Sequence, residues 1–416
     1  MLLLLGGTLY LLYRPQAYLV PGRTAWMLAG IALVVRLLPS AVLAYDTDFD
    51  IQSFQLTGEV LAKGQDVYTD ELTQNRHPYL PLQMYAMYGA YRIADATNLP
   101  FPFVVRLLPV FVDASIALLL FYRLLNVVSA SEAFRWGLIY ALNPVTVLVS
   151  AAHGQFDALP ALLTLLALLS VPYSLWKTGL FLGLGILDKS WPILAWPQIM
   201  ARLRTWRERF FVTLLMGIVP LMAVAVYSWV FDANPVDSVR KAVSYNWGTG
   251  IWGYTYFLRM GLMHFPKWPL TWTWFLRFAR WLTLGFLGWL WFVRARHQSP
   301  VAGFLTILLG FLAWGHAFSI QYLLWIVPFA VYQRERIWLA RYVLAACAYM
   351  FLAYYTLIFQ NSITNLLPWP QADWFIIMPA GIPAWLVVVF WLRSKLRDTA
   401  RRDENHSSIG SPIDVV

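Results

Sequence analysis

The sequence predicts an all-α, polytopic membrane protein, and three observations lead to this prediction. Of the 416 residues, 60% are hydrophobic and 12% are charged, against roughly 25% charged residues in a soluble domain. Apolar runs of about 20 residues, long enough to cross a bilayer as a helix, recur from end to end. The basic residues are concentrated in short segments between these runs, which is typical of cytoplasmic loops.

The net charge of +10 does not indicate nucleic-acid binding, because the basic residues are distributed as a membrane topology requires. They form five groups: Arg14 and Arg23; Arg202, Arg204, Arg207 and Arg209; Arg294 and Arg296; Arg334, Arg336 and Arg341; Arg393, Lys395, Arg397, Arg401 and Arg402. The sequence has no Walker phosphate loop, so we exclude ATP as an energy source.

Ten apolar segments are predicted to cross the membrane, the first of them outwards. In chain order they are Thr24–Ala44, Phe103–Leu125, Arg135–Ala151, Ala158–Val171, Phe210–Phe231, Trp268–Val293, Pro300–Gly315, Phe318–Tyr332, Tyr342–Phe359 and Trp374–Leu392. Leu2–Tyr13 is short for a span, at about 12 residues against 17–25. Gly179–Met200 is predicted to form a hairpin or re-entrant pair broken at residues 188–192, because one crossing would put the Arg202 group outside. These segments give roughly 10–13 crossing elements.

The spans form one integral domain, residues 1–393, followed by a polar tail, 394–416, predicted to be cytoplasmic and disordered. Two external loops are long, at about residues 45–102 and 232–267. The first contains a predicted interfacial helix, Asp50–Lys63, in which Ile51, Phe54, Gly58 and Leu61 share one face. Gly64 follows as its C-cap residue.

Three carboxylates, Asp46, Asp48 and Asp50, lie within five residues directly after the first long span. Mutual repulsion and partial desolvation are expected to raise the pKa of at least one of them, which suits a general base. One carboxylate would deprotonate an acceptor hydroxyl while a partner positions it. The alternative interpretation is that Asp48 or Asp50 only caps the following helix.

A second polar group, His153, Gln155 and Asp157, occupies a predicted outward turn on the same membrane face. These side chains can hydrogen-bond a sugar or a phosphate, whereas the alternative is a polar turn in which Asp157 caps the next helix. Lys189 lies within apolar sequence, where three interpretations are open: it pairs with the adjacent Asp188, it binds a lipid phosphate, or it only snorkels near a helix break.

A third outward turn contains His316 and Gln321, which are candidates for contact with a phosphate headgroup; an interfacial polar turn is the alternative. No cofactor is predicted. The sequence has no CxxC or HExxH metal motif, and the Asp48-x-Asp50 pair alone is a weak one, so a divalent cation is possible but not predicted.

Taken in order, these segments resemble the GT-C superfamily of membrane glycosyltransferases, and most closely the catalytic subunit of the first GPI mannosyltransferase and its prokaryotic relatives. The resemblance covers most of the chain. The segments that carry it are Asp48-Phe49-Asp50, Gly64, Val67-Tyr68, Arg76–Leu82, Arg106–Leu125 with Asp113, His153–Asp157, Lys189–Pro192 and Ser319–Trp325.

The resemblance implies a GT-C fold and inverting transfer of a hexose from a polyprenyl-phosphate sugar to a hydroxyl of a lipid-linked or other acceptor, on the non-cytoplasmic face. Asp48 or Asp50 would be the base, and His77 and Tyr322 join the substrate-binding candidates. Mannose is favoured, although the His153–Asp157 turn is more like that of enzymes using dolichyl-phosphate-glucose. The compact loops favour a bacterial plasma membrane. A lipid or glycan transporter and a non-catalytic subunit of a glycan-assembly complex remain alternatives.

Overall fold

The computed structural model describes residues 1–13, 24–45, 48–244, 248–264, 268–358 and 376–407. Asp46, Arg14, Arg23 and the last nine residues therefore lie outside the described ranges. Within these ranges the chain is α-helical and has no strand; a β-bridge joins Thr249 to Ala317. The all-α prediction is confirmed for this part of the chain.

The helices, in chain order, are α1 Leu2–Tyr13, α2 Thr24–Val42, α3 Phe49–Ala62, α4 Pro81–Thr97, α5 Phe101–Leu124, α6 Ala130–Ala141, α7 Pro144–Val147, α8 Ala158–Ser170, α9 Leu175–Asp188, α10 Trp196–Met200, α11 Trp206–Phe231, α12 Pro235–Ser244, α13 Gly253–His264, α14 Trp268–Val293, α15 Pro300–Trp314, α16 Val327–Tyr332, α17 Arg336–Ile358, α18 Met378–Ala380 and α19 Ile382–Ser407. A π-helix, Leu148–His153, continues α7, and 3₁₀ turns occupy Trp191–Ala195, Ala295–His297 and Ile320–Leu324.

Four of the described helices are long and apolar enough to cross a membrane, which is consistent with a membrane protein. They are α2, α5, α11 and the Arg336–Tyr354 part of α17. The predicted span Arg135–Ala151 is interrupted, because the Asn143 side chain caps a new helix that starts at Pro144. Phe318–Tyr332 is likewise divided into a 3₁₀ turn and α16. The number of 10–13 crossings therefore stays a prediction.

Helix α19 extends beyond the prediction, whereas the end of α9 agrees with it. Helix α19 continues to Ser407, into the tail that was predicted to be disordered, because that tail is rich in arginine and other good helix formers. Helix α9 ends at Asp188, and the 3₁₀ turn begins at Trp191, so the break predicted at residues 188–192 is confirmed.

The segments that carry the basic groups meet at one end of the helix bundle, where their Arg and Lys side chains contact backbone carbonyls and Glu335. These contacts join Arg336 to the Tyr13 carbonyl, Lys395 to Glu335, Arg294 to the Leu396 carbonyl and Arg202 to the Gln298 carbonyl. Helix α17 starts at this basic end, and its 23 residues rise about 35 Å. The hydrocarbon core of a bilayer is about 30 Å thick, so the far end of α17 lies about one membrane thickness away.

Helix α3 follows the prediction closely, beginning one residue earlier and ending at Ala62. The four residues predicted to share its apolar face are all buried. Asp48 caps its start and Gly64, at φ +72°, follows its end. The buried face packs on α4 and the start of α5, and it also contacts Phe156, whose ring centroid lies 5.3 Å from that of Phe54.

A buried polar network fixes the π-helix that leads to the second polar group. Arg36 Nε lies 2.6 Å from Asp113 Oδ2, and neither side chain is exposed. Asp113 also accepts hydrogen bonds from Tyr140 and from Ser150, which belongs to the π-helix. Because every partner is satisfied, the ion pair is tolerated in the apolar core. It links α2, α5, α6 and the π-helix, and so sets the position of the turn that follows.

Candidate functional site

The two described carboxylates of the predicted acidic cluster have different partners. Asp48 Oδ1 accepts a hydrogen bond from the Ile51 backbone N–H at 2.8 Å, so Asp48 does cap α3. Asp50 lies in the first turn of α3 and its side chain is 38% exposed, against 12% for Asp48. The Asp50 carboxylate is therefore the more accessible to a substrate.

The turn after the π-helix places His153 and Gln155 against these carboxylates, although about a hundred residues of chain separate the two segments. His153 Nε2 lies 3.1 Å from Asp50 Oδ2 and 3.5 Å from Asp48 Oδ2. Gln155 Nε2 donates to Asp50 Oδ2 at 2.6 Å. Gly154 between them has φ +80°, and a Cβ there would lie 2.9 Å from Arg106 Cγ, so the turn requires glycine.

The pKa values of Asp50 and His153 shift in the directions of an ion pair. Burial raises the pKa of Asp50, but the hydrogen bond and charge of His153, together with the charge of Lys189 and the hydrogen bond of Gln155, outweigh burial and lower it below its usual range. Burial lowers the pKa of His153, and the hydrogen bond to Asp50 with the charge of Asp48 raises it above its usual value. The expected raised pKa is therefore wrong for Asp50, because a cation that the sequence did not place there compensates the repulsion.

Asp157 and Lys189 form a second, deeper ion pair beside the first. Lys189 Nζ lies 2.6 Å from Asp157 Oδ2, and the two side chains are almost fully buried. Trp325 Nε1 donates to Asp157 Oδ1 at 2.6 Å. The Asp157 side chain makes no capping hydrogen bond, and Asp157, not the adjacent Asp188, is the partner of Lys189. Lys189 Nζ also lies 5.1 Å from the centroid of the Tyr79 ring, which the first external loop contributes.

Only part of the third outward turn lies near these two ion pairs. Tyr322 stacks on Trp325 with ring centroids 4.0 Å apart, so it reaches the Asp157 pair through that indole. Gln321 is buried and accepts a hydrogen bond from Ser319. His316 instead contacts Thr283 of α14, with Nδ1 3.2 Å from the hydroxyl oxygen, and has no described contact with the carboxylates.

His77 lies behind Tyr79, between two aromatic rings. Its ring centroid is 6.2 Å from that of Tyr68 and 5.5 Å from that of Tyr79. Its Nε2 is buried without a hydrogen-bond partner among the described residues. Burial lowers the pKa of His77 to about 3, so the ring is neutral at physiological pH and does not offer a positive charge to a phosphate.

The sequence-based prediction did not include three contacts at this site, which involve Tyr354, Gln83 and Trp325, the hydrogen-bond donor to Asp157. Tyr354 Oη lies 3.0 Å from His153 Nδ1, and Gln83 Nε2 lies 3.4 Å from Asp188 Oδ2. Tyr354 stands in an apolar run that reads as an ordinary span, and Gln83 lies in a helix, α4, that the first loop was not predicted to contain. Only the three-dimensional packing of α4 and α17 brings them to the site.

No group of three or more His, Cys, Asp or Glu side chains able to hold a metal ion occurs among the described residues; Asp46 lies outside them. A comparison with models of known protein families finds none that matches this chain, and a search of curated proteins finds no significant match.

Proposed function

We propose that this protein is an inverting membrane glycosyltransferase of the GT-C type, which moves a hexose from a polyprenyl-phosphate sugar to an acceptor hydroxyl. One observation carries the proposal: two carboxylates of the first loop meet His153 and Gln155 within 2.6–3.5 Å. An accessible carboxylate held ionised beside an imidazolium suits proton abstraction from a hydroxyl. A deeper lysine suits binding of the phosphate that leaves.

Asp50 is the base in this proposal and Asp48 holds the base in place. One oxygen of Asp50 is fixed by Gln155 and His153, and its side chain is the more exposed of the two. With its lowered pKa Asp50 is ionised at neutral pH and can accept a proton, but it is a weaker base than a carboxylate with a raised pKa. The acceptor O–H bond then breaks as its oxygen bonds to C1 of the sugar, the proton passes to Asp50, and the bond from C1 to the phosphate oxygen breaks.

Lys189 is the group that we assign to the leaving phosphate. Its ammonium has three N–H donors, of which Asp157 takes one in the described structure. The remaining donors can contact phosphate oxygens in a low-dielectric setting, where a charge–charge interaction is strong. Trp325 fixes the second oxygen of Asp157, so that the carboxylate does not rotate away from Lys189.

The polarity of the bundle supports the proposed membrane face. The basic groups meet at one end, and α17 rises from that end to Tyr354, which contacts His153 at the other. Under the positive-inside rule the basic end is cytoplasmic. The carboxylate site then faces the non-cytoplasmic side, which is the side proposed for transfer. The assigned partners are the lipid-linked sugar donor and a lipid or lipid-linked glycan acceptor.

The test is sugar transfer by purified protein in liposomes that contain polyprenyl-phosphate-mannose or polyprenyl-phosphate-glucose with a membrane lipid extract as acceptor. We expect transfer by the wild type and a loss of at least about 100-fold in Asp50→Asn, the effect of removing a general base. Asp48→Asn is the matched control, because asparagine caps a helix as well as aspartate does. It is expected to retain most of the activity.

Other outcomes of this assay contradict the assignments. Equal activity of Asp50→Asn and wild type would show that Asp50 is not the base. A loss in Asp48→Asn alone would transfer that role to Asp48. If neither donor supports transfer but labelled lipid crosses the bilayer, the protein is a transporter and the proposed function is wrong.

A further inference from the structure

A buried tyrosine of α17 contacts the imidazole of the proposed site on the side away from the carboxylates. Tyr354 is 3% exposed, and its ring centroid lies 4.9 Å from that of His153 in an edge-on arrangement. Its Oη lies 3.0 Å from His153 Nδ1. The contact joins residues 201 positions apart, so it depends on how α17 packs and not on local chain geometry.

The neighbours of His153 determine where its protons lie. Asp48 and Asp50 face Nε2, and ionised carboxylates only accept hydrogen bonds. Gln155 Nε2 also lies 3.3 Å from His153 Nε2, but its N–H donates to Asp50 and does not supply a hydrogen to His153 Nε2. Nε2 therefore carries a hydrogen in both the neutral and the charged imidazole. A change in the charge of His153 must occur at Nδ1, which faces Tyr354.

A phenol hydroxyl can form a hydrogen bond with Nδ1 of both the charged and the neutral imidazole. It accepts a hydrogen bond from Nδ1–H of the imidazolium and donates one to the lone pair of the neutral ring. Asp157 also adds negative charge near this imidazole, and Lys189 acts on Asp50. Arg106 packs against the neighbouring Gly154. Of these neighbours, only Tyr354 has a described hydrogen bond to Nδ1.

From this geometry we infer that Tyr354 is a positioning residue, which holds the His153 imidazolium in the orientation that pairs it with Asp50. The expected effect on sugar transfer rests on the proposed function, whereas the expected effect on the His153 imidazole does not. Loss of the hydroxyl leaves a buried Nδ1–H without an acceptor, and a hydrogen bond to a charged group is worth more than one to a neutral group. The charged ring is therefore destabilised more than the neutral ring.

The experiment compares Tyr354→Phe with Tyr342→Phe, a matched control on the same helix. The Tyr342 hydroxyl also makes a buried hydrogen bond, to the Leu323 carbonyl at 2.6 Å, but has no described contact with His153. Two quantities are measured: the titration of His153 by NMR in protein labelled with ¹⁵N-histidine, and the pH dependence of kcat for sugar transfer. The His153→Asn variant identifies the His153 signal among those of the six histidines.

We expect the pKa of His153 to fall by about one unit in Tyr354→Phe, the size expected for loss of one charged hydrogen bond. The alkaline limb of the kcat profile should move by the same amount, with kcat about tenfold lower at pH values above the wild-type pKa of His153 and KM for the donor unchanged. Tyr342→Phe should alter neither. An unchanged His153 titration in Tyr354→Phe overturns the inference. If the titration shifts but the wild type transfers no sugar, the proposed function fails and the positioning role stands.

Discussion

At the scale of single residues, the site depends on two buried or half-buried ion pairs that only long-range contacts complete. The sequence indicates the carboxylates and the His153 turn, because ionisable groups are rare in such an apolar chain. It does not pair them. The prediction of a raised pKa considered only the repulsion among the aspartates and omitted His153. The hydrogen bond and charge of His153 act in the opposite direction on the pKa of Asp50.

The pairing of Asp50 and His153 also has a consequence for stability. A carboxylate with a lowered pKa stabilises the folded state above its unfolded pKa and loses this contribution as pH falls through the lowered value. An imidazole with a raised pKa stabilises the folded state below about pH 6.5 and loses this contribution as pH rises through the raised value. The pair therefore stabilises most in the mildly acidic range.

Whereas the Asp50–His153 pair stabilises the folded state at mildly acidic pH, His77 destabilises it there. Its folded pKa of about 3 lies below the ordinary value of 6.5, so between these values the unfolded chain binds a proton that the folded chain does not. Stability should fall with decreasing pH in this window by up to about 1.4 kcal/mol per pH unit. We predict that His77→Phe, which keeps the aromatic contacts and does not titrate, reduces the loss of thermal stability between pH 7 and pH 4.5.

The measurement is the apparent Tm in detergent at several pH values, compared with the wild type. His297→Gln serves as the comparison, because it also removes a histidine, but one that is exposed at the basic end. An identical pH dependence for His77→Phe and the wild type would contradict the neutral, buried state of His77.

At the scale of secondary-structure elements, α3 is the element that the sequence predicts best and the one that carries Asp50, the proposed base. Its amphipathic pattern, its N-cap and its C-terminal glycine agree with one another, so local rules suffice. Helix α4 was missed, because its apolar and polar residues show no long hydrophobic run. The hydropathy of residues 135–151 predicts one continuous helix, whereas the structure divides this segment after Ala141, where Asn143 and Pro144 start a new helix.

The packing of α3 on α4 gives a prediction at this scale. A Cβ on Gly58 would lie 2.8 Å from the backbone carbonyl oxygen of Met87 and 2.8 Å from Tyr91 Cβ, and neither atom can move without shifting a helix. Gly58→Ala should therefore destabilise the protein by about 1–3 kcal/mol and reduce transfer by displacing Asp50. Gly89→Ala on α4 is the control, because nothing lies within 4 Å of its added methyl group.

Thermal unfolding and transfer rate measured on the two glycine variants check this prediction. Gly89→Ala should be neutral or slightly stabilising, since alanine is the better helix former. Equal stability of the two variants would mean that α3 and α4 do not approach as closely as the structure shows.

At the scale of the whole molecule, the sequence predicts the polarity of the bundle better than the number of its spans. Basic loops that are distant in sequence do meet at one end. Hydropathy alone does not distinguish a crossing helix from a short helix buried among others, and several predicted spans prove to be short, such as α8 with 13 residues. Burial inside the bundle makes these short helices apolar without requiring them to cross.

The anomeric configuration of the product tests the central claim most directly. Purified wild type and Asp50→Asn would be reconstituted with a donor labelled with ¹³C at C1 and the membrane lipid extract, and the new linkage examined by NMR. Direct attack on C1 by a hydroxyl that Asp50 deprotonates predicts a configuration opposite to that of the donor, and no product from Asp50→Asn. A product that retains the donor's configuration, or no transfer by the wild type, would contradict the account.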